Sequence, residues 1–135
     1  MATGTLYPAR GLIDTPVLLA YRNAQADAEQ FIIAVRAVGL PELSQLSALA
    51  LLAWCQDAGE AAGVRSFLYA ATVHGITART MRRALRILEQ HAPPVPLTAD
   101  DAIVAATAIE QSLPLYTLDP ARFAAVPGLA AIQPY

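Results

Sequence analysis

The sequence has no lysine, one cysteine and only two histidines among its 135 residues. Without lysine there can be no lysine-dependent phosphate loop, no Schiff-base chemistry and no lysine general base. One cysteine and two histidines are also too few for the usual ligand sets of zinc. The 11 aspartates and glutamates are therefore the groups expected to carry any chemistry.

The charge and hydropathy of the sequence limit its possible partners and location. All nine basic residues are arginine and the net charge is −2, so nucleic-acid binding would depend on a local cluster. The longest nearly apolar stretch, residues 46–55, is too short to cross a bilayer, and the first residues do not resemble a signal peptide. Together with the single Cys55, these features predict a cytoplasmic protein without a membrane partner.

The apolar content is high for a chain of this length. Hydrophobic residues make up 56% of the sequence, more than a small domain comfortably buries. We therefore expect a homodimer, with Trp54, Phe67 and Tyr69 in the core or in an interface. Residues 1–135 are predicted to form one domain, in which residues 1–10 are an N-terminal extension.

Short strand-like segments alternate with helical patterns. Residues 11–13 form an apolar run that leads into Asp14 and Pro16, a typical helix start. The alternation predicts an α/β fold, a parallel sheet of four to five strands flanked by helices on both faces. Further strands are predicted near residues 40–43, 72–76, 113–117 and 129–132, and residues 92–96 are predicted to be a stiff connector.

Three aspartates stand where predicted helices begin: Asp14, Asp101 and Asp119. Such junctions gather at the carboxyl edge of a parallel sheet, where ligands bind. Clustered carboxylates suit Mg²⁺ or Mn²⁺, which can activate water for attack on a phosphodiester. Each aspartate could equally be an ordinary helix cap, and Asp100 fits that interpretation best. Spacing alone leaves both interpretations open.

The residues around these three aspartates resemble sequence motifs of a known protein family. Residues 12–19 (LIDTPVLL) resemble the opening motif of PIN domains, and residues 101–108 (DAIVAATA) resemble a later motif of VapC toxins. Residues 113–119 (LPLYTLD) are similar to the family's closing segment. The chain is therefore identified as similar to a PIN domain of the VapC type, which has a three-layer fold.

The resemblance implies a function. VapC toxins are Mg²⁺- or Mn²⁺-dependent endoribonucleases, whose substrate is RNA and whose usual partner is a small antitoxin. It implies that Asp14, Asp101 and Asp119 bind the metal, with Asp100 as a further candidate ligand. It also implies that Thr15, Ser44 and Thr117 support the site.

One position departs from the family pattern. Ser44 and Ser47 keep the expected spacing on the second helix, but Ala50 stands where the family has a glutamate. This substitution supports an alternative, a degenerate PIN module that binds RNA or a protein without cleaving. An unrelated α/β interaction domain with coincidentally capped helices is a third interpretation.

The helix predicted near residue 80 has two stripes. One consists of Met81, Ala84, Leu85 and Leu88, and the other is basic. The basic stripe could contact RNA phosphates or could simply be a solvated face. Its members are Arg79, Arg82, Arg83 and Arg86.

Overall fold

The computed structural model describes residues 10–91 and 97–135. The predicted connector at residues 92–96, and residues 1–9 of the predicted extension, lie outside the described residues. In chain order the elements are β1 (Leu12–Ile13), α1 (Thr15–Arg22), α2 (Ala26–Val38), β2 (Glu42–Ser44), α3 (Gln45–Ala53), α4 (Ala58–Tyr69), β3 (Thr72–His74), α5 (Ala78–Gln90), α6 (Ala99–Glu110), β4 (Leu115–Tyr116), α7 (Pro120–Phe123) and β5 (Ala131–Ile132).

The five strands form one parallel sheet in the order β3-β2-β1-β4-β5. Strand β1 is central, and its Leu12 pairs with Glu42 of β2 on one side and with Leu115 of β4 on the other. The predicted α/β class with a parallel sheet of four to five strands is thus confirmed, with five strands.

Local capping explains where several helices begin. The Asp14 side chain accepts a hydrogen bond from the Thr15 amide at the start of α1, and Pro16 occupies an early position that needs no amide donor. Helix α6 opens with a reciprocal capping box between Thr98 and Asp101. Helix α1 therefore starts directly beyond the carboxyl end of β1.

The core lies in two clusters, one on each face of the sheet. Adjacent strand residues point to opposite faces, so Leu12 and Leu115 join α5, α6 and α7 in one cluster. Ile13 and Tyr116 pack in the other, with residues from α1, α2, α3 and α4. Burial on both faces accounts for the apolar residues of β1 and β4, whereas β2 and β3 also contain polar residues. The fold therefore has three layers.

Two aromatic side chains predicted to lie in the core or in an interface are on the surface of the chain. Trp54 is 64% exposed and Tyr69 is 91% exposed, so a core location for either is wrong. On α5, Thr80, Ala84 and Ile87 are buried, whereas Met81 and Leu85 of the apolar stripe are exposed. Among the described residues, no helix is long and apolar enough to cross a membrane.

Candidate active site

The candidate site lies where the chain changes direction across the sheet. The chain passes from the central strand β1 to β2 and β3 on one side, and then to β4 and β5 on the other side. Ligands of open parallel sheets bind at such a switch point, beyond the carboxyl ends of the strands. Asp14 directly follows β1 and Thr117 directly follows β4, so both lie at this point.

Asp14 is a buried carboxylate held by neutral donors. It is 5% exposed, and it accepts hydrogen bonds of 2.9 Å from the Thr15 amide and 2.9 Å from the Thr117 hydroxyl. Burial raises the pKa of Asp14 from 3.8 to about 6, and these hydrogen bonds only partly oppose that effect. By contrast, the buried Glu42 is paired with Arg10 and His74, and the hydrogen bond from Arg10 lowers its pKa.

Asp101 and Asp119 are joined by one arginine. The Nη1 atom of Arg122 donates to Oδ2 of Asp101 at 2.9 Å, and its Nε lies 3.5 Å from Oδ2 of Asp119. The Asp101 side chain is 14% exposed, whereas that of Asp119 is 58% exposed. The structure therefore adds a cation to the acids, one that the sequence motifs had not indicated.

Two small cavities adjoin these side chains. One, of about 240 Å³, is lined by Asp14, Asp101, Asp119, Thr117 and Arg122 together with nearby apolar residues. We call it the acidic cavity. The other, of about 200 Å³, is lined in part by Asp14, Asp101, Asp100 and Ala50. Ala50 therefore shares a cavity with two of the three candidate acids.

The predicted supporting residues occupy different positions. Thr117 contacts Asp14 directly, and its hydroxyl oxygen also accepts from the Asp119 amide at 3.2 Å. The Thr15 hydroxyl is hydrogen-bonded to Ser47 at 2.8 Å, which joins the start of α1 to α3. Ser44 caps α3 by accepting from the Leu46 amide and is absent from the lining of both cavities. Ser47, noted from the sequence only for its spacing, thus contacts Thr15, which lines the second cavity.

Arg122 is the residue near the site that sequence reasoning missed. Its position three residues after Asp119, at a helix start, is compatible with an ion pair along the helix, and this was the available signal. The arginines of the α5 stripe are a separate group, since none of them lines either cavity. One of them, Arg79, lies 3.6 Å from Glu110 of α6.

The oxygen ligands at this site are of the kind that divalent ions prefer, but too few of them are arranged to hold one. Carboxylate oxygens are the ligands that Mg²⁺ and Mn²⁺ prefer, and Asp14 faces the acidic cavity with no cation among its hydrogen-bond donors. Within the described ranges, however, no three His, Cys, Asp or Glu side chains are arranged to hold a metal ion. The Ala50 methyl group supplies no ligand, and Arg122 already binds Asp101.

A three-layer domain with carboxylates at the switch point of a five-stranded parallel sheet has the architecture of a PIN domain. The PIN domain family model matches residues 11–129, and the chain belongs to this family. PIN-domain nucleases generally use divalent metal ions. No curated protein sequence matches the chain significantly.

Solved structures agree on the fold. A toxin-antitoxin complex from Klebsiella pneumoniae has 23% identity and a TM-score of 0.77, over 93% of this chain and 98% of that one. DNA-bound VapBC from Salmonella typhimurium has 15% identity and a TM-score of 0.77 over the same shares. VapC20 from Mycobacterium tuberculosis, described as a sarcin-ricin loop cleaving toxin, has 18% identity and a TM-score of 0.65, over 86% and 95%. The predicted resemblance to VapC PIN domains is confirmed.

Proposed function

We propose that this protein is a VapC-type toxin, an endoribonuclease that depends on Mg²⁺ or Mn²⁺. The observation that carries the proposal is Asp14: a buried carboxylate with only neutral donors, in one cavity with Asp101 and Asp119, at the switch point of a PIN fold. A buried anion of this kind is costly unless a cation or a proton accompanies it. Functional sites are where such unfavourable groups are found.

Each residue has a stated role in this proposal. Asp14, Asp101 and Asp119 would hold the ion, which when bound supplies an activated water and stabilises charge on the phosphodiester. Thr117 fixes the Asp14 carboxylate and, through the Asp119 amide, the start of α7. The hydrogen bond between Thr15 and Ser47 fixes α1 against α3 and thereby the direction of Asp14.

Cleavage of a folded RNA in Mn²⁺ tests the proposal. The parent chain is expected to cut the RNA, and Asp101→Asn is expected to cut more slowly, by on the order of 100-fold, because a charged ligand is lost. Asp27→Asn removes the same charge from an exposed position on α2 and should leave the rate unchanged. Equal rates for the parent and Asp101→Asn, or cleavage that persists in excess chelator, would contradict the proposal.

A second candidate function is a PIN module that binds RNA or protein without cleaving. It is favoured by one observation, that Ala50 lines a cavity with Asp14 and Asp101 at the position where a glutamate is expected. Under this alternative the parent chain would retain RNA in a filter-binding assay and would release no cleavage products in Mn²⁺. The arginines on α5 would then supply phosphate contacts.

A small antitoxin is the proposed protein partner. The similar structure from Klebsiella is described as a toxin-antitoxin complex, and the one from Salmonella as DNA-bound VapBC. A cavity of about 510 Å³ is lined by apolar and aromatic side chains, among them Tyr21 and Phe67, and by charges of both signs, Arg22 and Arg36 with Glu29 and Glu60. Such a surface suits a partly apolar peptide segment that carries charges of both signs. Addition of the antitoxin should suppress cleavage in the assay above, and full activity in a stoichiometric mixture would exclude this partner.

We also propose that the chain is a homodimer. The exposed apolar side chains include Leu49 and Leu52 on α3, and Met81, Leu85 and Leu88 on α5. Light scattering should give twice the chain mass of 14.3 kDa, and Leu85→Arg should shift the mass toward the monomer. A monomer mass that does not change with concentration would exclude the dimer.

A further inference from the structure

Arg122 is the cationic side chain closest to the acids of the candidate site. It donates to Asp101 at 2.9 Å and lies 3.5 Å from Asp119, and it lines the acidic cavity together with Asp14. Its side chain is 41% exposed, so water reaches it and it has room to move outward. The arginine therefore sits beside the same carboxylates that the proposed function assigns to a metal.

The hydrogen bonds of Asp101 explain why the two cations compete. Its Oδ2 atom accepts from the Thr98 amide at 3.0 Å and from Arg122 at 2.9 Å. A carboxylate oxygen has two lone pairs, so Oδ2 has none left for a metal while both bonds persist, and a metal bound through Oδ1 would lie close to the guanidinium, which repels it. The bond from Thr98 belongs to the capping box of α6, whereas the bond from Arg122 comes from a partly exposed side chain.

The charges in the acidic cavity also favour competition between Arg122 and a metal ion. Asp14, Asp101 and Asp119 bring three negative charges to the cavity, and Arg122 offsets one of them. A divalent ion that entered beside the guanidinium would be repelled by it at short range. If Arg122 moved out toward solvent, the ion would meet three unpaired carboxylates.

We propose that Arg122 is the resident cation of the acidic cavity and that a divalent metal must displace it from Asp101. This inference rests on the proposed function, since it assumes that the metal binds at these three acids. Arg122 then controls metal affinity: it stabilises the metal-free protein and weakens metal binding. The low number of arranged ligands is, on this view, partly a consequence of Arg122 holding Asp101.

Calorimetric titration of the full chain with MnCl₂ tests the inference. Arg122→Gln is expected to bind Mn²⁺ about tenfold more tightly than the parent, equivalent to about 1.4 kcal/mol. Arg65→Gln removes the same charge from an exposed position on α4 and should bind like the parent. Arg122→Gln combined with Asp101→Asn should lose the gain. Equal or weaker binding by Arg122→Gln, or a gain that survives Asp101→Asn, overturns the inference.

The gain in melting temperature on adding Mn²⁺ is a second readout, which the loss of a merely structural arginine would not change. Without metal, Arg122→Gln should melt at a lower temperature than the parent, because three carboxylates are left without a cation. Added Mn²⁺ should restore more stability to the variant than to the parent, and an equal gain in both overturns the inference. Should Arg122→Gln fail to fold, Arg122→Lys, which keeps the charge but loses the planar fork, should show a smaller gain in Mn²⁺ affinity.

These measurements separate the inference from the proposed function. If Arg122→Gln gains Mn²⁺ affinity at Asp101 but neither it nor the parent cuts RNA, the inference stands and the nuclease proposal fails. If the parent cuts RNA in Mn²⁺ and Arg122→Gln binds the ion no more tightly, the nuclease proposal stands and Arg122 is only a structural ion-pair partner.

Discussion

Ala50→Glu is expected to bind Mn²⁺ at least about tenfold more tightly than the parent and to cut RNA faster. Ala50 is the sixth residue of α3, and it lines the cavity that also contains Asp14 and Asp101. A glutamate there would add a directional ligand and a negative charge at the place where the family pattern has one. Replacing alanine by glutamate within a helix costs only a few tenths of a kcal/mol, so the fold should tolerate it. Calorimetry with Mn²⁺ and cleavage of a folded RNA are the measurements.

Two control variants isolate the cause of the gain. Ala53→Glu adds the same charge at an exposed position on the same helix, outside both cavities, and should leave Mn²⁺ affinity near the parent value. Ala50→Gln has nearly the same shape as the glutamate variant without its charge, and it should gain little. An equal gain in Ala53→Glu would mean that net charge alone attracts the ion. No gain in Ala50→Glu would contradict our interpretation of this position.

The strand and helix order was predictable because it depends on neighbouring residues. Asp14 with Pro16, and Thr98 with Asp101, are local capping signals, and both mark helix starts in the structure. Strands β1 and β4 were recognisable because burial on both faces favours uninterrupted apolar residues. Parallel strands separated by helices then leave few possible arrangements of the sheet.

Features that depend on distant packing were not predictable in this way. Leu85 belongs to the apolar stripe of α5 but is 60% exposed, because the helix packs against its neighbours through Thr80 and Ile87 instead. Nothing local reveals which of two helix faces another helix will cover. Likewise the bond from Arg122 to Asp101 joins residues 21 apart, and that between Thr15 and Ser47 joins residues 32 apart. Such contacts exist only once the sheet has brought α1, α3, α6 and α7 together.

Asp14→Asn is expected to stabilise the fold at neutral and alkaline pH. Burial raises the pKa of Asp14 from 3.8 to about 6, so the folded protein binds a proton more tightly than the unfolded chain does. That contribution to stability is fully present below about pH 4 and is lost as the pH rises through 6, where the folded carboxyl ionises. Each pKa unit corresponds to about 1.4 kcal/mol, so ionised Asp14 costs the folded state about 3 kcal/mol.

Urea unfolding of the parent and Asp14→Asn at pH 4, 6 and 8, without added metal, measures this difference. Asparagine can still accept from the Thr15 amide and can donate to the Thr117 hydroxyl, so little packing or hydrogen bonding is lost. The stability advantage of the variant should be small at pH 4 and greatest at pH 8, whereas Asp27→Asn, at an exposed position, should show no such trend.

Asp14→Asn should also lose Mn²⁺ affinity and RNA cleavage, because the carboxylate that destabilises the metal-free fold is a ligand that the ion requires. A variant that is less stable at every pH would show that Asp14 is a structural cap, whereas a more stable variant that still cuts RNA would remove Asp14 from the catalytic site.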